Sequence, residues 1–318
     1  EHERQIGKVK MTKIGFIFPG QGSQYVGMGK ALYDAFDVAK RLFARADEML
    51  GYPLSKICFE GPEEELKKTG NTQPGIFVVS AIVQTLLKER GMRPDAAAGH
   101  SLGEYAALYC AGALEFDDAL RLVMERGKAM NAAAEASKGA MAAVMGLDAA
   151  KLAEVCQQAA AKGVCQIANI NSQDQLVITG AAEAVAIASE AAKAAGAKRA
   201  IPLPVHGAFH SPLMESAAAH LKNVLRDIPI KAPEIAFINN ADAAFLTEPE
   251  AIRDSLARQV TSCVRWVESI EKLASSGITS MVEAGPGKVL QGLVKRINKD
   301  IPVVSCDTPE TVRTLSGQ

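Results

Sequence analysis

Gly99, His100, Ser101, Leu102 and Gly103 place a serine with a glycine two residues away on either side. Between a strand and a helix, a GxSxG turn holds its serine in a strained conformation, and the flanking glycines let neighbouring chain pass without clashing side chains. The hydroxyl then stands at the start of the next helix, among unpaired N–H groups and the positive end of the helix dipole. The N–H of Leu102 would face the oxyanion that forms when Ser101 attacks a carbonyl. A surface serine in a glycine-rich turn has the same residues. The flanking strand and helix favour the nucleophile.

A serine hydroxyl needs a base to react. The histidines are His2, His100, His206, His210 and His220. His2 lies at the chain end. His100 adjoins Ser101 and cannot readily face it, so it is expected to line the pocket or support it. His220 falls near the stripe of Leu213, Ala217, Leu221 and Val224 and reads as a partly buried structural histidine. His206 and His210 remain, and His210 is preferred. It precedes Ser211 and Pro212, which read as the N-cap and first residue of a helix and would anchor the ring at a rigid junction. Arg126, at the edge of the apolar face of its helix, reads on its own as a solvated arginine.

The elements that must position these groups alternate. "KIGFIF" (13–18) reads as a buried strand, followed by a glycine-rich loop and a helix from about Lys30. The loop fits no nucleotide fingerprint: Tyr25 and Met28 stand where a dinucleotide loop needs glycine and a P-loop needs lysine. Residues 74–90 read as a buried helix, 95–100 as a short strand of weak strand formers, and 102–114 and 116–130 as helices. Residues 139–205 change rhythm to strand, helix, strand, strand, helix, strand, the order of a ferredoxin-like unit. Alternation then resumes to the strand at 301–306. The expected fold is α/β: a large α/β-hydrolase-like domain with a mostly parallel sheet (11–137 and 207–318) and an inserted small βαββαβ domain (138–206). Residues 1–10 are expected to be a tail or a cloning remnant, with Met11 as the natural start.

Composition narrows the class. The chain has 318 residues, 48% of them hydrophobic, and a net charge of −1, which argues against bulk nucleic-acid binding. Six scattered cysteines without CxxC spacing give no metal site, and no signal-peptide pattern opens the chain. A reduced, cytoplasmic setting is expected, with no membrane span and no resident metal or cofactor. A monomer is expected, since no exposed apolar repeat suggests otherwise.

The segments "FPGQGSQ" (18–24), "GHSLGEYAAL" (99–108), "ERGKAM" (125–130), "ANINSQDQLVITG" (168–180), "GAFHSPLM" (207–214), "RQVTSCVRW" (258–266) and "EAGPGKVLQGL" (283–293) occur in this order. Together they resemble the malonyl-CoA:acyl carrier protein transacylases of bacterial fatty acid synthesis, over about Lys13 to Arg296. The resemblance implies ping-pong transfer of a malonyl group from malonyl-CoA to the phosphopantetheine thiol of holo acyl carrier protein, with Ser101 as nucleophile and His210 as base. It implies an oxyanion hole from the N–H groups of Gln21 and Leu102, and Arg126 as the carboxylate-binding residue. It also implies a His210 oriented by the backbone carbonyl of Gln259, a Ser-His dyad without an acid. Phe209 and Leu102 stand on the side that goes with malonyl over methylmalonyl, and Asn169 matches a small-domain motif with either a structural or a substrate-contacting role. Cys263, Gln173 and Ala96 to Ala98 depart from the family pattern at positions that bear on packing. Two other functions use the same residues: a serine esterase or thioesterase, in which water replaces the carrier thiol, and a non-catalytic carrier-docking module.

Overall fold

The computed structural model describes residues 13–205 and 207–316. His2, residues 1–10 and His206 lie outside them. Among the described residues nine strands run in chain order: β1 (Lys13–Phe18), β2 (Ala96–Gly99), β3 (Gly139–Met145), β4 (Cys165–Ser172), β5 (Gln175–Ala181), β6 (Arg199–Pro202), β7 (Ala236–Ile238), β8 (Ile278–Ala284) and β9 (Val303–Cys306). They form two sheets.

The larger sheet has the order β7-β2-β1-β8-β9, and every pairing in it is parallel. Alternate side chains enter different layers, as strand periodicity requires. Phe16, Phe18 and Ala97 join the core that contains the helix Thr69–Glu89. Ile17, Ala96 and Ala98 pack with Trp266 and Ile270 on the opposite side. Both faces are covered, so β2 is stable as "AAAG" although alanine is a weak strand former: all three alanines are buried in a central strand. Pairing of Phe18 with Gly99 brings the ends of β1 and β2 to one edge. From β1 the chain builds outward to β2 and β7 and later crosses to β8 and β9, so β1 adjoins the topological switch point between β1 and β8, and its carboxyl end is beside the usual ligand site of open parallel sheets.

The smaller sheet is antiparallel with the order β4-β5-β3-β6. Its helices Ala149–Ala159 and Ala182–Ala194 complete the βαββαβ order and share a core with Val144, Leu152 and Ile178. The bulged strand β4 also meets the larger unit: Ile170 N–H donates to Val264 O at 2.9 Å, and Val264 N–H donates to Ala168 O at 2.8 Å. These two bonds set the asparagines of β4 beside the end of β2.

The structure departs from the sequence reading in several elements. The helix expected from Lys30 ends at Ala35; Asp37–Leu50, Leu54–Glu60 and Glu63–Lys67 follow as separate helices. The helix expected to begin at Pro74 begins at Thr69. Proline there removes the donor that Gly70 O would accept, and the Tyr52 hydroxyl takes its place at 3.2 Å. A final helix, Pro309–Ser316, was not foreseen. His220 is exposed rather than partly buried, and its Nε2 lies 2.7 Å from Glu125 Oε2 on the helix Phe116–Ala136.

Candidate active site

Ser101 follows β2 with φ 51°, a left-handed conformation that costs a non-glycine residue on the order of 1–3 kcal/mol. Both flanking glycines are required by space. A Cβ on Gly99 would stand 1.9 Å from Gly103 C, and one on Gly103 would stand 2.0 Å from Phe18 O. Hydrogen bonds on both sides of Ser101 hold the strained residue. Asn240 Oδ1 accepts from Ser101 N–H at 2.7 Å, while Asn240 Nδ2 donates to Gly99 O at 2.6 Å. Gln259 Nε2 donates to Ser101 O at 2.9 Å. Ser101 lines the cavity described below.

His210 also has positive φ, 60°, and its ring is almost wholly buried. Ser211 Oγ accepts from Leu213 N–H at 3.2 Å and caps the turn that Pro212 begins, which leads into the helix Glu215–Leu225. The small sheet braces the loop, with Gln166 Nε2 donating to His210 O at 2.8 Å. On the ring, Nδ1 lies 3.0 Å from Gln259 O and 3.1 Å from Ser262 O. Carbonyls only accept, so Nδ1 carries the proton and Nε2 presents a lone pair. That lone pair lies 2.8 Å from Ser101 Oγ. No carboxylate is needed to fix the tautomer.

Burial first, then the Arg126 charge and His100, push the imidazole from an ordinary value near 6.5 down to about 3; the two carbonyls oppose this. The ring is therefore a neutral base throughout the physiological range. Acylation of the free enzyme should show no loss of rate between pH 7 and pH 5, measured as kcat/KM by stopped-flow; a falling limb centred near 6.5 would mean that a solvent-like histidine is the base. The sign for stability follows. Below pH 6.5 the unfolded chain takes up a proton that folded His210 refuses until about pH 3, so this group destabilises the fold as pH falls through that window.

Arg126 is 1% exposed, in contrast to the solvated arginine that its residues alone suggest. Gly127 beside it lets the helix Phe116–Ala136 lie against Gly70, where an added Cβ would stand 3.3 Å from the Gly70 Cα. Nη1 donates to Gln73 Oε1 at 2.8 Å; Nη2 reaches Gln259 Oε1 at 2.9 Å and Ser101 Oγ at 3.0 Å. Among the described residues no carboxylate lies within ion-pair distance of this guanidinium. A buried cation without a direct counter-ion is costly; one of its donors, Nη2, reaches the serine, and Nε has no hydrogen-bond partner among the described residues.

These groups line one cavity of about 110 Å³, together with Gln21, His100, Asn169 and Phe209. The volume suits a short acyl group and not a long hydrocarbon chain. Leu102 is the N-cap of the helix Gly103–Cys110, whose first N–H groups, of Gly103, Glu104 and Tyr105, donate to the carbonyls of His100, Ser101 and Leu102. No group of three or more histidine, cysteine, aspartate or glutamate side chains among the described residues is placed to hold a metal ion.

A serine on a strained elbow, a tautomer-fixed imidazole against its hydroxyl and a buried arginine in a small pocket fit acyl transfer. The acyl transferase domain family matches residues 15–310. The malonyl CoA-acyl carrier protein transacylase of Bacillus subtilis (strain 168) is 50% identical over 303 residues, covering 95% of this chain and 96% of the relative. The chain belongs to the malonyl CoA-acyl carrier protein transacylase family. The Escherichia coli (strain K12) member is 45% identical over 95% of this chain and 98% of its own length. The transacylase structure from Coxiella burnetii superposes with a TM-score of 0.94 at 39% identity, covering 96% of this chain and 97% of that one. A malonyl-transacylase solved in complex with a type II polyketide acyl-carrier protein also superposes at 0.94, with 41% identity over 96% of this chain and 99% of that one.

Against this family background, the structure brings Ser101, His210, Arg126, Gln21, His100, Asn169 and Phe209 to one cavity, with Leu102 and Gln259 at its edge. His100 Nε2 pairs with Asn171 Oδ1 at 2.7 Å and its ring packs edge-on against Trp266. Gln259 contributes its side chain as well as its carbonyl. Sequence reasoning missed Gln73, Glu104 and Asn240. Glu104 is disguised as an ordinary acid in the first turn of a helix. Asn240 had a weak signal, a polar pair at the end of an apolar strand. Gln73 had none.

Proposed function

We infer that the chain transfers a malonyl group from coenzyme A to the phosphopantetheine thiol of acyl carrier protein through a malonyl-Ser101 intermediate. The observation that carries this reading is the buried Arg126 guanidinium 3.0 Å from Ser101 Oγ in a cavity too small for a fatty acyl chain. A guanidinium reads a carboxylate by paired hydrogen bonds, and malonyl bears one at a fixed distance from its thioester. The same anchoring orients the carbonyl for attack.

In the first half-reaction Ser101 gives its proton to His210 Nε2 and attacks the thioester carbon. The N–H groups of Gln21 and Leu102 receive the oxyanion. Collapse breaks the carbon–sulfur bond, and the coenzyme A sulfur takes the proton from Nε2. In the second half-reaction the carrier thiol gives its proton to Nε2 and attacks the ester, and Ser101 leaves with that proton. Throughout, Nδ1–H stays on the carbonyls of Gln259 and Ser262, so a Ser-His dyad suffices.

Intact-mass spectrometry after brief mixing with malonyl-CoA, then with holo carrier protein, tests the reading. A malonyl adduct that moves to the carrier is expected. Loss of the adduct to water would make the enzyme a thioesterase, and a folded protein that never forms it would leave a docking module.

A further inference from the structure

Glu104 is buried without any exposure, three residues after the nucleophile, in the first turn of the helix Gly103–Cys110. Its Oε2 accepts from Gln259 Nε2 at 2.6 Å and from Asn240 N–H at 3.3 Å, while Oε1 has no hydrogen-bond partner. The other end of the Gln259 amide, Oε1, accepts from Arg126 Nη2 at 2.9 Å. The chemistry of the two ends fixes this orientation. Arginine has no acceptor and must face the amide oxygen; a carboxylate has no donor and must face the amide nitrogen. One neutral amide thus separates the buried anion from the buried cation.

We propose that Glu104 is a positioning residue that acts as the counter-ion of Arg126 across the Gln259 amide, offsetting the guanidinium charge without occupying the donors that a substrate carboxylate needs. A direct ion pair would satisfy the guanidinium and shut the carboxylate out. The intermediate distance gives attraction without saturation, and leaves Glu104 and the malonyl carboxylate in mild competition for one positive charge. The proposal rests on the malonyl reading above.

The competition has a sign. Removing the Glu104 charge while keeping its shape and acceptor strengthens the hold of Arg126 on an anionic acyl group and does nothing for a neutral one. Glu104→Gln is therefore expected to lower the half-saturating malonyl-CoA concentration for acyl-enzyme formation at least threefold and to leave that for acetyl-CoA unchanged. An unchanged or raised value for malonyl-CoA in the folded variant overturns the proposal.

If Glu104→Gln does not fold, the wild-type enzyme decides the matter through pH. Burial pushes the Glu104 carboxyl up to about 7. The charged groups facing it are Arg126, Asp242 and Arg258, with Tyr105 beside it. Asp242 is held down and Arg258 held up by their mutual hydrogen bond, and Tyr105 is pushed up to about 12, so none of them titrates near neutrality. His210 and His100 are both shifted downward. The malonyl-to-acetyl ratio of half-saturating concentrations should then fall about threefold from pH 8 to pH 6, because the coenzyme A phosphates are common to both substrates and cancel. A flat ratio overturns the proposal. Failure of the malonyl reading itself looks different: no malonyl adduct forms on the wild-type enzyme at any pH.

Discussion

Ser101→Ala should carry no malonyl adduct and lose malonyl transfer by about 10⁴-fold or more, with the fold intact. The hydroxyl is the atom that His210 Nε2 faces at 2.8 Å, and among the described residues no other hydroxyl or thiol makes a hydrogen bond with that nitrogen. The strained turn does not depend on the hydroxyl. Its backbone is held by Asn240 and Gln259 through the Ser101 N–H and C=O, and by the space that Gly99 and Gly103 leave. Alanine at φ 51° is no more strained than serine. A thermal transition within a few degrees of wild type, together with an unmodified mass after incubation with malonyl-CoA, is the expected pair of results. A malonyl adduct persisting on the variant would move the nucleophile elsewhere and leave the elbow as architecture.

The parts of the site that were legible in the sequence are those whose geometry is local. The elbow needs a glycine two residues either side of its serine because backbone from β1 and from the next helix crosses there, and such a spacing survives in one dimension. His210 was legible because Ser211 and Pro212 announce a helix start next to it. The strand and helix alternation, with a change of rhythm at 139, follows from side-chain period and is equally local.

What the sequence hid is what tertiary packing decides. Arg126 has the helical setting of any solvated arginine, and only the close approach of Gly127 to Gly70 sinks it. Resemblance to a family implied a role for it where its local setting did not. Asn240 and Glu104 come from elements that meet beneath Ser101 only after β7 pairs with β2. The helix expected from Lys30 divides for a different reason: Phe36 takes extended backbone and Gly51 a left-handed conformation, and the type of Phe36 does not announce a break. Alanine in β2 shows the converse, a weak local preference overridden by burial on both faces.

Arg126→Ala should cut kcat/KM for malonyl loading by about 10²–10³-fold and that for acetyl loading by less than about tenfold. Truncating one partner of a buried charge-assisted pair costs roughly 2–5 kcal/mol, and each 1.4 kcal/mol is a factor of ten. Acetyl has only a hydrogen where malonyl has its carboxylate, so it forfeits none of that term. Both substrates share every other consequence of the substitution. The cavity left by the side chain is common to both, as are the unpaired Gln73 Oε1 and Gln259 Oε1 and the lost contact with Ser101 Oγ. So is the recovery of His210 basicity once the neighbouring positive charge is gone. The ratio of the two losses therefore isolates the carboxylate. Arg126→Lys sharpens the reading: it restores a positive charge but not a planar fork, so it should recover part of the malonyl rate and none of the paired geometry. Equal losses for malonyl and acetyl would show that Arg126 serves the serine and not the substrate, and the selectivity of the pocket would then have to come from its size.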